Sequence, residues 1–267
     1  MTSHVQPVNP MSEATVTAGL IVIGDEILSG RTQDVNINAT AVFCADLGIE
    51  LAEVRIVPDD MDMIIEAINT LRARYSYVFT TGGIGPTHDD ITADAVAKAF
   101  GVALPINPDA RAMLETRWKE SNIEVTESRL RMARIPEGAD LIVNSVSAAP
   151  GFRIENVHVM AGVPVIMRAM LEALAPTLRG GRKVESRTVA AGVGEGTVGG
   201  PLGKIQEAYP DVKIGSYPQM GHAHVMTYLV MRSHDIDRLE QATAEVRKLV
   251  DTLHAERNIT IPEDTSA

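Results

Sequence analysis

The chain has 267 residues, 45% of them apolar, and a formal net charge of −11. That length suits one large domain with room for a second small one, and the acid excess excludes the basic footprint a nucleic-acid partner needs. No apolar run approaches the ~20 residues that span a bilayer, and Cys44, the single cysteine, leaves no internal disulfide and no cysteine-built zinc site.

Residues 1–14 lack the basic-then-apolar pattern of a signal peptide and read as a disordered lead-in. These features together place the protein in the cytoplasm. Residues 17–23 form a short apolar strand ending at Gly24, and residues 36–47 a helix closed by Gly48. Residues 51–57 are a second strand, stopped by Pro58. Asp59 or Asp60 then caps a helix with Met61, Ile64, Ile65, Ile68 and Leu71 on one face. A third strand, 77–81, runs into Gly82-Gly83-Ile84-Gly85-Pro86. Thr87 stands where an N-cap would, with Asp90 three residues on as an imperfect capping box, so a helix is expected from about Asp89 to Phe100. Asn107-Pro108 starts another helix. Residues 141–143 and 157–161 are further strands, and Pro164 opens a helix ending near Leu178.

After a linker at 179–182 the pattern changes to strand 185–191, helix 202–209, strands 212–217 and 224–232, and a long amphipathic helix 235–253. The expected organisation is a lead-in 1–14, an α/β domain 15–178, a small α+β domain 183–255 and a frayed tail 256–267. Strands alternating with helices imply a mostly parallel sheet covered on both faces, a three-layer sandwich. Ligands of such sheets sit outside the carboxyl ends of the strands. Gly24-Asp25-Glu26, Pro58-Asp59-Asp60 and the Gly82 loop all lie at those ends, which argues for one shared site.

Gly82, Gly83 and Gly85 let the backbone approach a ligand closely, and free N–H groups at a helix start form an anion site. The nearby acids repel a bare phosphate, so the pattern suggests a phosphate held through a divalent cation, or a polar heterocycle whose N–H groups the carboxylates accept. Asp25, Glu26 and Asp34 fit either role; equally, Asp25 and Glu26 are turn residues and Asp34 or Asn36 a helix cap. The loop 144–152, with Pro150 and Gly151, either closes over a ligand with Phe152 as an apolar wall or is a hairpin with Phe152 in the core. His88 reads as a solvated loop residue. His222 and His224 lack further metal ligands, and the glycines of 192–196 lack the lysine of a phosphate loop.

Taken together, GDEILSG with the following Asp34-x-Asn36, VPDD at 57–60, TTGGIGPTHDDIT at 80–92, APGF at 149–152 and GVP at 162–164 resemble the MoaB/Mog molybdopterin-binding domain. The similarity is to the version that opens CinA-type competence/damage-inducible proteins and is attached to eukaryotic FAD synthases. It covers roughly residues 17–178; the remainder, with Ile-Gly-Ser-Tyr-Pro at 214–218, resembles the small α+β domain that follows in CinA-type chains. The separate amidase domain of full-length CinA is not expected here, so nicotinamide-nucleotide deamidation is not implied.

The resemblance implies a nucleotide or pterin ligand, molybdopterin among the pterins. It implies catalytic roles for Asp59 and Asp90, and a divalent metal such as Mg²⁺ on Asp25, Asp59 and Asp90. Gly24, Asp25, Glu26, Asp34, Asn36, Thr81, Gly82, Gly83, Gly85, Thr87, Pro150 and Gly151 are then the ligand-binding set. In the CinA branch the implied reaction is metal-dependent cleavage of a pyrophosphate such as ADP-ribose or FAD. In the Mog branch it is adenylylation of molybdopterin, and a non-catalytic nucleotide or pterin binder is the third reading. A homo-oligomer, a dimer first, is expected. The chain departs from the family pattern at His88, at Ala148 before APGF and at Ala161 before GVP.

Overall fold

Residues 15–221 and 224–260 are described by a computed structural model. The chain divides into two units, Met1–Arg182 and Lys183–Ala267. Among the described residues no helix is long and apolar enough to cross a membrane.

The first unit runs β1 (Thr17–Ile23), α1 (Asp25–Leu28), α2 (Asn36–Asp46), β2 (Glu50–Val57), α3 (Met61–Arg74), β3 (Tyr77–Thr81), α4 (Thr92–Phe100), α5 (Pro108–Glu120), α6 (Glu127–Leu130), β4 (Asp140–Ile142), β5 (Gly151–Ile154), β6 (Val157–Met160) and α7 (Pro164–Leu174). Its sheet has the order β2-β1-β3-β6-β5-β4. β2, β1, β3 and β6 are mutually parallel, and β5 and β4 are antiparallel additions at one edge.

Alternation along the strands sorts side chains into two cores, because successive residues point to opposite faces. Leu20, Val22, Phe79 and Met160 pack with Cys44 of α2 and Met167 and Met170 of α7. Ile21, Ile23, Val78 and Val159 pack with Ile64 and Ile68 of α3, Val96 of α4 and Leu114 of α5. The result is the expected three-layer sandwich with a mostly parallel sheet. Each fully buried aliphatic side chain contributes about 1.5–3 kcal/mol.

Helix ends follow local chemistry where a cap is available. Asp60, not Asp59, caps α3 by accepting from the Asp62 and Met63 N–H groups. Asn107 caps α5 in the same way, with Pro108 in the first turn. One boundary differs from the sequence expectation: α4 begins at Thr92, not at Asp89, and its N-cap position is Ile91, which gives no side-chain hydrogen bond. The strand at 151–154 is also additional to the expected elements. Phe152 sits on it in the core, 1% exposed.

The second unit contains β7 (Glu185–Ala191), α8 (Glu195–Ala208), β8 (Lys213–Pro218), β9 (Thr227–Ser233) and α9 (Ile236–Arg257). Its antiparallel sheet has the order β7-β9-β8. Val189, Ala191, Leu229 and Met231 bury against Val198 and Leu202 of α8 and Leu239 and Val246 of α9. Helix α8 starts seven residues before the expected Leu202. Gly196, Gly199, Gly200 and Gly203 weaken its intrinsic propensity, and burial of Val198 and Leu202 holds it instead. Strand β9 starts at Thr227 rather than His224, and α9 continues to Arg257. His222 lies outside the described residues.

Candidate functional site

Strands β2 and β3 flank β1 on opposite sides, so the chain leaves β1 and β3 at a point where the strand order reverses. Such a point opens a crevice at the strand carboxyl ends. The loop after β3 fills one wall of it. Gly82 has φ 104°, and a Cβ there would lie 2.1 Å from the Ile23 carbonyl oxygen of β1. Gly83 has φ 67°, and its Cβ would lie 2.2 Å from Thr92 Oγ1. Only glycine serves at either position.

Thr92 ties this loop to α4. Its hydroxyl donates to the Gly82 carbonyl at 2.9 Å and its N–H to the Gly83 carbonyl at 3.0 Å. Those two bonds set the helix start, which is why α4 begins later than the capping pattern around Thr87 implied. Thr87 and Asp90 do pair, but in a turn that precedes the helix. The Thr87 N–H and hydroxyl donate to Asp90 Oδ2 at 2.8 and 2.5 Å, and the Asp90 N–H donates to the Thr87 carbonyl at 3.3 Å. The carboxylate lies against Gly85, where a Cβ would meet it at 2.6 Å.

A cavity of ≈ 480 Å³ lies against this loop, lined by residues 82–86, Glu26, Asp90, Met132, Ser147 and Ile166 among others. The volume is that of a small-molecule site. The β4–β5 loop forms another wall and is internally braced. Asn144 Oδ1 accepts from the Val146 and Ser147 N–H groups at 3.1 and 2.6 Å, and Asn144 Nδ2 donates to the Ala149 carbonyl at 2.9 Å. A much smaller cavity, ≈ 20 Å³, sits between Gly83, Gly85, Asp90, Arg131, Arg134 and Pro150.

The other expected acids are held by backbone hydrogen bonds. The Asp25 N–H donates to Asp59 Oδ2 at 3.1 Å. Burial pushes the Asp59 carboxyl above its ordinary range, and the like charges of Asp25, Glu26 and Asp89 push it further. Asp34 accepts from the Ile37 N–H at 2.8 Å and so closes the start of α2. Asn36, 5% exposed, donates through Nδ2 to the Gly162 carbonyl at 2.8 Å and anchors the entry to α7.

Glu26, Gly82, Gly83, Gly85 and Asp90 therefore line one cavity, with Thr87 acting on it through Asp90. Asp25 and Asp59, joined by the hydrogen bond above, are not among the residues lining it, and Pro150 lines the small cavity. Gly24 bonds through its N–H to the Val57 carbonyl at 3.1 Å, and Thr81 is buried within β3. Gly151 is a packing glycine of β5, whose Cβ would lie 2.2 Å from the Val159 carbonyl oxygen. Among the described residues no group of three His, Cys, Asp or Glu side chains is placed to hold a metal ion. The Asp90 carboxylate turns back onto Thr87.

Two residues outside the expected set shape the site. Thr92 is one. Arg131 is the other, in the turn after α6; its Nη2 donates to the Asp90 carbonyl at 3.2 Å. The only trace of it in the sequence is the clustering of Arg129, Arg131 and Arg134 before Pro136-Glu137-Gly138.

Residues 19–180 match the family described as "Probable molybdopterin binding domain", and residues 183–258 match "FAD synthase, middle domain". A protein from Aeropyrum pernix is 35% identical over 246 residues, 88% of this chain and 91% of that protein. A CinA-like protein from Desulfosudis oleivorans is 37% identical over 209 residues, 74% of this chain and 51% of that protein. The crystal structure of the protein CinA from Thermoplasma acidophilum superposes with a TM-score of 0.56 at 34% identity, covering 60% of this chain and 98% of that one. The chain belongs to the molybdopterin-binding-domain family, in its CinA-like form.

Proposed function

We propose that this molybdopterin-binding-domain chain takes an adenine-nucleotide pyrophosphate such as ADP-ribose or FAD at the β1–β3 crevice and hydrolyses it with a divalent metal. The observation that carries the reading is the ≈ 480 Å³ cavity, whose wall is the glycine-loop backbone and whose margin is acidic. Backbone N–H groups of the loop hold phosphate oxygens, while Met132 and Ile166 offer apolar surface to a ring.

The residues fit a shared metal rather than a protein-caged one. Mg²⁺ is commonly held by one or two carboxylates together with substrate phosphates and water, and Glu26 on the cavity wall supplies such a carboxylate. When bound, the ion neutralises phosphate charge and lowers the pKa of a water molecule. Asp59, with its raised pKa, is suited to accept a proton from that water. Asp90 is held in one orientation by Thr87 and faces the loop that would carry the phosphates.

The test is a turnover screen with ADP-ribose, FAD and ATP, each with and without Mg²⁺, Mn²⁺ or Co²⁺. Metal-dependent release of a mononucleotide supports the reading; inertness towards all three sinks it. One observation favours a second reading, non-catalytic binding of a nucleotide or of phosphate-bearing molybdopterin. Asp90 already spends one carboxylate oxygen on two bonds from Thr87. Adenylylation of molybdopterin is the third. The working form is a homo-oligomer, a dimer first, and light scattering showing only a single-chain mass would refute that.

A further inference from the structure

Arg131 is a half-buried cation whose Nε is fully buried and has no hydrogen-bond acceptor among the protein atoms. Its neighbour Arg134 is ion-paired with Asp94. Arg131 has no such pair among the described residues, and its one bond runs from Nη2 to the Asp90 carbonyl at 3.2 Å. A buried charged donor left without an acceptor is costly, and folds retain few of them. Arg131 also lines the ≈ 20 Å³ cavity behind the glycine loop. That cavity shares Gly83, Ile84, Gly85, Asp90 and Met132 with the main one. Its volume is about that of one water molecule or one ligand oxygen.

We propose that Arg131 is the anion anchor of the site: one oxygen of a ligand's phosphate or pyrophosphate enters the small cavity past Gly83 and Gly85 and accepts from Arg131 Nε. The two cavities otherwise present Glu26 and Asp90 to an anionic ligand, since Asp94 and Arg134 of the small cavity are paired with each other. Arg131 supplies the fixed positive charge that offsets them, and its bond to the Asp90 carbonyl holds that charge against the loop. Charge-assisted bonds of this kind are about twice as strong as neutral ones. The residue therefore selects phosphorylated ligands over their neutral nucleosides. The inference rests on the reading that the cavity takes a phosphate-bearing ligand, but not on turnover.

The test is calorimetric titration of the full chain, without divalent metal, with inorganic pyrophosphate, ADP-ribose and adenosine. Wild type is compared with Arg131→Gln and Arg131→Lys, all checked by thermal melting. Arg131→Gln should weaken pyrophosphate and ADP-ribose by about ten- to hundredfold, the scale of a lost charge-assisted bond, and leave adenosine within about twofold. Arg131→Lys, which keeps charge but not the Nε donor, should fall between and keeps the test alive if the glutamine variant misfolds. Equal losses for adenosine and ADP-ribose would make Arg131 only a brace for the Asp90 turn and overturn the inference. So would unchanged pyrophosphate affinity, or no uptake of pyrophosphate by the wild type. Arg131-dependent pyrophosphate binding without hydrolysis would sink the hydrolase reading alone, and hydrolysis with Arg131-independent binding would sink the anchor alone.

Discussion

Gly82→Ala probes the contact on which the site is built. The substitution forces a side chain into φ 104° and places its Cβ 2.1 Å from the Ile23 carbonyl oxygen. Strain at an unfavourable backbone conformation costs about 1–3 kcal/mol. Relief of a clash with backbone, which cannot rotate away, costs about 1–3 kcal/mol more, so the total is about 2–6 kcal/mol. Gly101→Ala is the matched control: φ is 68° and nothing lies within 4 Å of the added Cβ, so only the left-handed penalty of about 1–2 kcal/mol applies. Trp118, the chain's single tryptophan, is buried in the core of the first unit, 5% exposed. Its fluorescence in urea therefore reports that unit alone and avoids mixing two transitions. Gly82→Ala should lower the midpoint well beyond Gly101→Ala, and weaken nucleotide binding as β1 and the loop move apart. Equal losses for the two variants would refute the close approach of the loop to β1.

Three further outcomes follow from single side chains. Burial, helped by the charge of Arg153, depresses His158 from 6.5 to about 4. The unfolded chain thus takes up a proton that the folded one refuses. Stability is full above the ordinary histidine pKa and falls by at most about 3 kcal/mol as pH drops towards 4; His158→Phe should flatten that part of a urea-stability profile, and an unchanged acid slope would contradict it. Thr92→Val strips the hydroxyl that donates to the buried Gly82 carbonyl and should cost about 1–3 kcal/mol, read by thermal melting, whereas a neutral result would detach Thr92 from the loop. Asp90→Asn keeps an oxygen to accept from the Thr87 N–H, so melting should stay close to wild type while pyrophosphate turnover is lost; wild-type turnover would reduce Asp90 to a turn-former.

The parallel core was legible because β1 is a short apolar run, β3 is a β-branched and aromatic run stopped by glycines, and α3 repeats its apolar residues at helical spacing. Caps with a side-chain acceptor, Asp60 and Asn107, were legible for the same local reason. The start of α4 was not. Thr87 and Asp90 satisfy a capping pattern within four residues, while the true start depends on Thr92 reaching carbonyls ten and nine residues back. Strand β5 is four residues long and exists through antiparallel pairing with β4 and β6. In α8, glycines masked a helix that Val198 and Leu202 hold by burial. At the site, glycine spacing pointed to the loop, and strand-end acids pointed to the crevice. Which way the loop acids turn was a matter of backbone direction: Asp90 folds onto Thr87. Arg131 was hidden because its meaning comes from a carbonyl 41 residues away.

The central claim is that the glycine-loop cavity is where a pyrophosphate ligand binds. A crystal structure of the chain grown with ADP-ribose in the absence of divalent metal tests it most directly. The account predicts phosphate oxygens within about 3 Å of the backbone N–H groups of residues 83–85 and of Arg131 Nε. ADP-ribose seated instead in the ≈ 540 Å³ groove beside Thr116 and Arg117, with the glycine loop free of phosphate, would contradict it.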